Sequence, residues 1–225
     1  REVFNSLKKT ETIFDLALIS PCGNVLRGEK TLAYLDNCLP MTKNKSVIPT
    51  ACVVLAAGQG NRMESDMPKV LHPLAGRPMI GHVLASVESL APERVCVVVG
   101  RGMEAVTEVV RPHASVLQPE PLGTGNAVRV ALAALDGFTG DVLVLFGADP
   151  LVRPETLKRL LAARQAPSVP AVAVLGFRPE DPSLYGRLVV ANDGALKAVV
   201  EARDATPEQT TIGLCNGGVM AIDSK

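Results

Sequence analysis

Leu55-Ala56-Ala57-Gly58-Gln59-Gly60-Asn61-Arg62-Met63, with Pro68-Lys69 a few residues on, closes an apolar run that begins at Ala51. The run has the composition of a buried strand. The glycines after it let backbone N–H groups come close to an anion. An arginine and a lysine arrive on the same loop, and two cations there read the anion as a polyphosphate. The chain is therefore expected to handle a nucleotide.

Outward from this loop the pattern is strand, helix, strand, helix. Apolar runs predict strands over Ala51–Ala57, Arg94–Gly100, Ser115–Leu117, Asp141–Phe146 and Ala171–Leu175. Helical spacing predicts helices over Met79–Leu90, Met103–Val110, Gly123–Leu135 and Pro154–Ala166. Runs such as Val142-Leu143-Val144-Leu145-Phe146 have no polar alternation, as expected of parallel strands covered on both faces. The alternation argues for a doubly wound, mostly parallel α/β sheet, whose ligand sits at the carboxyl ends of the strands. The glycine loop falls at such an end. Beyond Phe177 shorter alternating segments (Gly186–Ala191, Ala195–Glu201, Gly213–Ile222) predict added strands near the C-terminus that build a second wall of the site.

Bulk properties narrow the partners. Lys+Arg 23 balance Asp+Glu 23, so no basic excess points to nucleic acid or an acidic membrane surface. Aromatic residues are 3% and Trp is absent, which leaves no stacking platform for single strands. The five cysteines (Cys22, Cys38, Cys52, Cys96, Cys215) are scattered without a C-x-x-C pair, and are read as reduced thiols of a cytoplasmic protein without zinc. No apolar run reaches the roughly 20 residues of a membrane span. Ile13 to Ile19 follows basic residues like a signal peptide, but Asp15 interrupts it and no small-residue cleavage site follows. His72, His82 and His113 are dispersed and are read as structural or solvated. Residues 1–40 lack the strand–helix rhythm and are expected to be an extension or leader, with an N-terminal arm packed on the domain as the alternative. Met41 reads as a natural start, residues 41–50 as a polar linker, and residues 51–225 as the nucleotide-handling domain.

The loop excludes two common phosphate binders. A dinucleotide-binding turn needs a third glycine where Met63 stands, and Val99-Gly100-Arg101 lacks the acidic residue that holds a ribose. No Gly-Lys-Ser/Thr follows, so a Walker P-loop is excluded too. What remains is a loop with Arg62 and Lys69 offsetting charge as pyrophosphate leaves a triphosphate, or an ordinary βα turn carrying two solvated cations.

The series Leu55-x-x-Gly58-x-Gly60-x-Arg62-Met63 … Pro68-Lys69-Val70-Leu71-His72-x-Leu74-Ala75-Gly76-Arg77-Pro78-Met79 resembles the sugar-nucleotide pyrophosphorylases. The closest resemblance is to the uridylyltransferase domain of the bifunctional bacterial N-acetylglucosamine-1-phosphate uridylyltransferases/glucosamine-1-phosphate acetyltransferases. Gln118-Pro119-Glu120-Pro121-Leu122-Gly123-Thr124-Gly125, Tyr185-Gly186-Arg187, Val199 to Thr206 and Asn216-Gly217-Gly218 follow in the family's order. The resemblance covers Val53 to the end and implies a Rossmann-like nucleotide-diphospho-sugar transferase fold. It implies transfer of UMP from UTP to N-acetylglucosamine-1-phosphate with Mg²⁺, for cell-wall and lipopolysaccharide precursors. Leu55, Ala56, Ala57 and Gly58 would frame the uridine, and Phe146 and Gly147 would also bind the nucleotide. Arg62 and Lys69 would serve catalysis on the phosphates. Gln118 with Gly123 and Thr124 would read the uracil edge. Gly186, Glu201 and Asn216 would hold the acetamido sugar.

The chain departs from the family in two places. The family has Gly-Asp-x-Pro-Leu after the fourth strand, its aspartate binding Mg²⁺, whereas this chain reads Phe146-Gly147-Ala148-Asp149-Pro150-Leu151. Ala148 thus aligns with the metal ligand, and Asp149, one residue late, is expected to take its place through a local bulge. Pro121 stands where the family often has a polar residue near the base. The family's domain also continues further, with another metal ligand, and then trimerises through a β-helix acetyltransferase domain. On that basis the chain is expected to be C-terminally incomplete. The alternatives are a transferase for another sugar 1-phosphate or a molybdopterin-type nucleotide, or a non-catalytic nucleotide-binding fragment.

Overall fold

The computed structural model describes residues 16–19 (as backbone), 48–58, 60, 63–166, 170–192 and 194–224. The strands are β1 (Leu16–Ile19), β2 (Thr50–Leu55), β3 (Pro73–Leu74), β4 (Arg77–Pro78), β5 (Arg94–Val99), β6 (Ala114–Leu117), β7 (Asp141–Phe146), β8 (Val172–Phe177), β9 (Arg187–Val190), β10 (Leu196–Val200) and β11 (Cys215–Asp223). The described helices are α1 (Met79–Glu88), α2 (Glu104–Val109), α3 (Thr124–Ala131), α4 (Pro154–Arg164) and α5 (Pro207–Thr210). The chain divides into two compact units, residues 45–164 with 219–225 and residues 1–44 with 165–218.

The first unit is built on β2. This strand lies between β5 and β7 and runs parallel to both; β6 continues the parallel ladder beyond β5. The last residues of β11 close the other side, antiparallel to β7, with Met220 opposite Val144. Every residue of β2 after Thr50 is buried, as is every residue of β7 before Phe146. One face of the sheet presents Ala51, Val53, Leu55, Val98, Val142 and Val144, packed with Ala127, Ala131 and Leu135 of α3 and the turn after it. The opposite face is equally apolar: Cys52, Val54, Val97, Leu143 and Leu145 are all within 1% of full burial. That double burial is why these strands show no polar alternation.

Chain order explains where a ligand can enter. From β2 the chain winds through α1 and β5 to β6, then returns through α3 to place β7 on the other side of β2. The reversal opens a crevice at the carboxyl ends of β2 and β7. Backbone ladders run past the strand ends into it: Gly147 N–H donates to Leu55 C=O at 2.8 Å, and Ala56 N–H to Val98 C=O at 2.8 Å.

At the opposite end of the same unit is an ion cluster around the buried pair Arg164 and Asp141. Arg164, at the end of α4, reaches Asp141 at 3.0 Å through Nε and Asp223 at 2.8 Å through Nη2. Asp141 and Asp223 are cross-strand partners of β7 and β11. The guanidinium therefore sits between two carboxylates that would otherwise repel each other.

In the second unit β9 pairs antiparallel with β10, Arg187 opposite Val200, and Cys215 at the start of β11 lies opposite the same Arg187. The Phe177 and Tyr185 rings meet edge to face at 4.8 Å. Thr206 and Gln209 cap α5 reciprocally. Removing this box with Thr206→Ala is expected to lower stability by about 1 kcal/mol, read as a shift of the urea midpoint. β1 pairs antiparallel with β8, Leu16 opposite Leu175, so a strand forms within the stretch read from sequence as an extension. The rest of that stretch, and 41–47 of the expected linker, lie outside the described residues.

The doubly wound, mostly parallel sheet is borne out. All five strands predicted up to Leu175 are present, as are the three added strands near the C-terminus, with every end within two residues of the expected one and Asp141–Phe146 matched at both ends. The expected helix Gly123–Leu135 is divided into α3 and a 3₁₀ turn, Leu132–Leu135. The Pro73–Leu74/Arg77–Pro78 hairpin was not anticipated, because two-residue strands carry no period. Of the cysteines, Cys52, Cys96 and Cys215 are buried free thiols. Burial pushes Cys52 up to about 12 and raises Cys96 and Cys215 as well, although Arg187 and Arg178 pull Cys215 back. Such thiols pack as small apolar groups and are poor nucleophiles. Cys22 and Cys38 lie outside the described residues. His82 Nε2 pairs with Leu74 C=O at 2.8 Å and His113 Nε2 with Glu88 at 2.8 Å.

Candidate functional site

A cavity of about 390 Å³ opens at the carboxyl ends of β2 and β7. Its floor is the end of β2 and the loop after it, Leu55 to Gly58. One side is formed by Phe146 at the end of β7 with Ala148 and Asp149 after it, the other by Gln118, Pro121, Gly123 and Thr124 around the start of α3. Lys69 and Val70 complete it. Of the residues expected to hold nucleotide, Leu55, Ala56, Ala57, Gly58, Lys69, Gln118, Gly123, Thr124 and Phe146 all line this one cavity. Gly147 does not line it but is bonded to its floor through Leu55. Arg62 lies outside the described residues.

Local backbone geometry explains the glycines at two positions. Gly60 has φ +67°, and a Cβ there would stand 2.6 Å from Lys69 Cβ. The lysine stem lies against this glycine, so the loop and the cation are set together. Gly60→Ala is expected to displace Lys69 and lower kcat/KM for the nucleotide by about 100-fold, measured by pyrophosphate release. Gly123, before the first residue of α3, has φ +93° and ψ 177°, a conformation essentially confined to glycine. It turns the chain so that the first amides of α3 begin at the cavity wall, where they favour an anion or an electron-rich edge.

Gln118 is buried, and its backbone is tied to β5 by N–H donation to Val99 C=O at 2.8 Å. Asp149 lies at the mouth of β7, its N–H bonded to Phe146 C=O at 3.2 Å. Burial raises its carboxyl above the ordinary range, and the nearby Lys69 charge partly offsets that rise. An acid and a cation therefore face one another across the crevice, as expected of groups that share a phosphate and its counter-cation. Ala148 offers no donor. Among the described residues no group of three or more His, Cys, Asp or Glu side chains gathers to hold a metal.

The three residues expected on the sugar side converge in the second unit. Asn216 N–H donates to Gly186 C=O at 2.8 Å, and a Cβ at Gly186 would lie 3.7 Å from Glu201 Oε2. Asn216 Oδ1 accepts from Gly218 N–H at 2.9 Å, which leaves its amide N–H₂ for other partners. Beside it stands an acceptor carboxylate, so the cluster can receive and donate hydrogen bonds over a polar ring.

Val70 and Ala127 line the cavity without having been anticipated. Ala127 was accessible to helical spacing, three residues after Thr124. Val70 was not, because the 3₁₀ turn Lys69–Leu71 has too few residues to show a period.

The family model described as a MobA-like NTP transferase domain matches residues 52–210. The chain belongs to the MobA-like NTP transferase family. Curated relatives include the bifunctional protein GlmU of Rhodospirillum rubrum, 57% identical over 176 residues, or 78% of this chain and 39% of the relative. GlmU of Paramagnetospirillum magneticum is 59% identical over 173 residues, 77% of this chain and 38% of the relative. The chain thus spans about two-fifths of the length of the curated relatives it matches. The resemblance read from its motifs points to these same bifunctional bacterial proteins. Among solved structures, a UDP-glucose pyrophosphorylase complexed with UDP-glucose shares the transferase fold at TM-score 0.64 and 20% identity, covering 78% of this chain and 76% of that one. HddC of Yersinia pseudotuberculosis, complexed with GMP-PN, does so at TM-score 0.57 and 21% identity, over 77% and 76%. Among the described residues no helix of this family member is long and apolar enough to cross a membrane.

Proposed function

We propose that this chain transfers UMP from UTP to N-acetylglucosamine-1-phosphate, forming UDP-N-acetylglucosamine and pyrophosphate. The observation that carries the reading is the single cavity that collects the β2 loop, Lys69, Gln118 and the α3 N-terminus. These are the groups needed for a triphosphate at one end and a base at the other. The identity to GlmU proteins supports the choice of sugar nucleotide. A phosphate oxygen of the sugar 1-phosphate attacks the α-phosphorus of UTP, a new P–O bond forms, and the bond to the β-phosphate oxygen breaks. The electron pair leaves with pyrophosphate, and no protein nucleophile is needed. Lys69, with Arg62, offsets the charge that grows on the leaving group. Glu201 accepts from sugar hydroxyls and the Asn216 amide donates to the acetamido carbonyl.

The donor set fits a magnesium ion that takes one protein carboxylate and completes its shell with phosphate and water. In this reading Asp149 is that carboxylate, one residue after Ala148. Bound there, the ion would neutralise phosphate charge and orient the reacting groups.

The test is pyrophosphate release with Mg²⁺, using UTP against CTP, GTP and ATP, and N-acetylglucosamine-1-phosphate against glucose-1-phosphate. Release with UTP and the acetamido sugar, and a clear loss on either swap, is expected. Release confined to another base or sugar would move the chain to a different substrate within the family. Turnover that appears only in Ala148→Asp would take the metal away from Asp149.

A further inference from the structure

We propose that Asn126 is a positioning residue for base selection: it locks the Gln118 amide so that the cavity meets its carbonyl oxygen and never its nitrogen. This rests on the cavity being the nucleotide site. Gln118 Nε2 donates to Gly123 C=O at 3.3 Å and to Asn126 Oδ1 at 2.9 Å. A backbone carbonyl can only accept, so the nitrogen of Gln118 must face Gly123, and the atom of Asn126 that meets it must be the oxygen. Both amide hydrogens are thereby consumed inside the protein. Oε1 has no partner among the described residues, and Gln118 lines the cavity. The site therefore offers an acceptor on a side chain that is 95% buried.

An acceptor at that point discriminates between pyrimidines. Uracil presents N3–H, a donor, to a carbonyl. Cytosine presents a lone pair at N3, and two acceptors repel. A glutamine free to turn by half a rotation would present N–H₂ and take cytosine equally well. Gly123 alone restrains one hydrogen at 3.3 Å, the longer of the two bonds. Asn126, half-buried in the first turn of α3, supplies the shorter one and makes the half-turn costly, because a buried donor would be left unpaired. Specificity for the base is thus set in part by a residue that does not touch it.

Calorimetric titration of the 225-residue chain with UTP and with CTP, Mg²⁺ present, separates the possibilities. The unmodified chain should bind UTP more tightly than CTP. Asn126→Leu should cut that preference by about tenfold, by weakening UTP and strengthening CTP. Asn126→Asp, which keeps an acceptor at the same place, should retain the wild-type ratio. A purely structural role for Asn126 would weaken both nucleotides alike and leave the ratio unchanged. An unchanged ratio in Asn126→Leu, with UTP still preferred, overturns the lock and leaves the uridylyl reading standing. An unmodified chain that binds UTP no better than CTP overturns both.

Discussion

Replacing Arg164 with leucine is expected to lower the unfolding free energy by about 3–5 kcal/mol, seen as a large fall in the urea midpoint. The guanidinium is 5% exposed and lies 3.0 Å from Asp141, itself fully buried, and 2.8 Å from Asp223. Its removal leaves two carboxylates facing each other across the β7–β11 ladder, Asp141 out of water and Asp223 partly so, with their common counter-charge gone. The cost comes from those abandoned charges more than from the attraction that is lost. Arg164→Leu combined with Asp141→Leu should therefore recover much of the loss, since a buried pair can be exchanged for apolar groups at little net cost. A single variant as stable as the unmodified chain would mean that water reaches the cluster when the arginine is gone. The cluster ties the end of α4 and the last residues of β11 to the start of β7, at the end of the sheet remote from the cavity. The loss should therefore appear in stability before it appears in nucleotide affinity.

Asp149→Asn should act in opposite directions on activity and on stability. Loss of the carboxylate proposed to hold the metal is expected to lower kcat by about 100-fold or more and to weaken the response to Mg²⁺. The metal-free protein, by contrast, should melt at a higher temperature. Burial raises the Asp149 carboxyl in the fold above its ordinary value, with Lys69 offsetting only part of that. A carboxyl raised on folding favours the folded state only while protonated. Its ionised form is a cost that grows as pH rises above the unfolded value and is complete above the folded one. The advantage of Asn is thus expected at pH 7–8 and should vanish as the pH falls below about 4. Equal melting temperatures at neutral pH would show that the carboxylate is not held at a disadvantage, and unaltered turnover would remove Asp149 from the reaction. Such an opposition is what a functional carboxylate in a low-dielectric crevice predicts: strain in the empty protein that the bound cation relieves.

Much of this molecule was legible one residue at a time. The buried strands are continuous apolar runs, β2 and β7 above all, because a strand covered on both faces has no position where a polar side chain is tolerated. The loop Gly58 to Lys69 advertised an anion because glycines and cations have few other reasons to follow a buried strand together. The departure at Ala148-Asp149 was visible as a one-residue offset against Pro150-Leu151. The sugar-side trio Gly186, Glu201 and Asn216, each unremarkable alone, was marked by motif order, and the pairing of β9 with β10 and β11 brings the three together. The two-residue strands β3 and β4 were invisible, since no period can be read from two residues. β1 was obscured by surroundings without rhythm.

The residues of one chain segment, then, determined which stretches are strands and helices, that the sheet is wound both ways, and that a glycine-rich loop carrying cations follows β2. These properties depend on local spacing and on whether a side chain is apolar. Tertiary structure alone decided the partnerships. It set Asn126 against Gln118, brought that glutamine to the cavity wall, laid the stem of Lys69 on Gly60, and gathered Asp141, Arg164 and Asp223 into one ion cluster. Hydrogen bonds and ion pairs depend on the distance between atoms whose separation along the chain carries no information. That distance is set only when strand register and helix packing are complete.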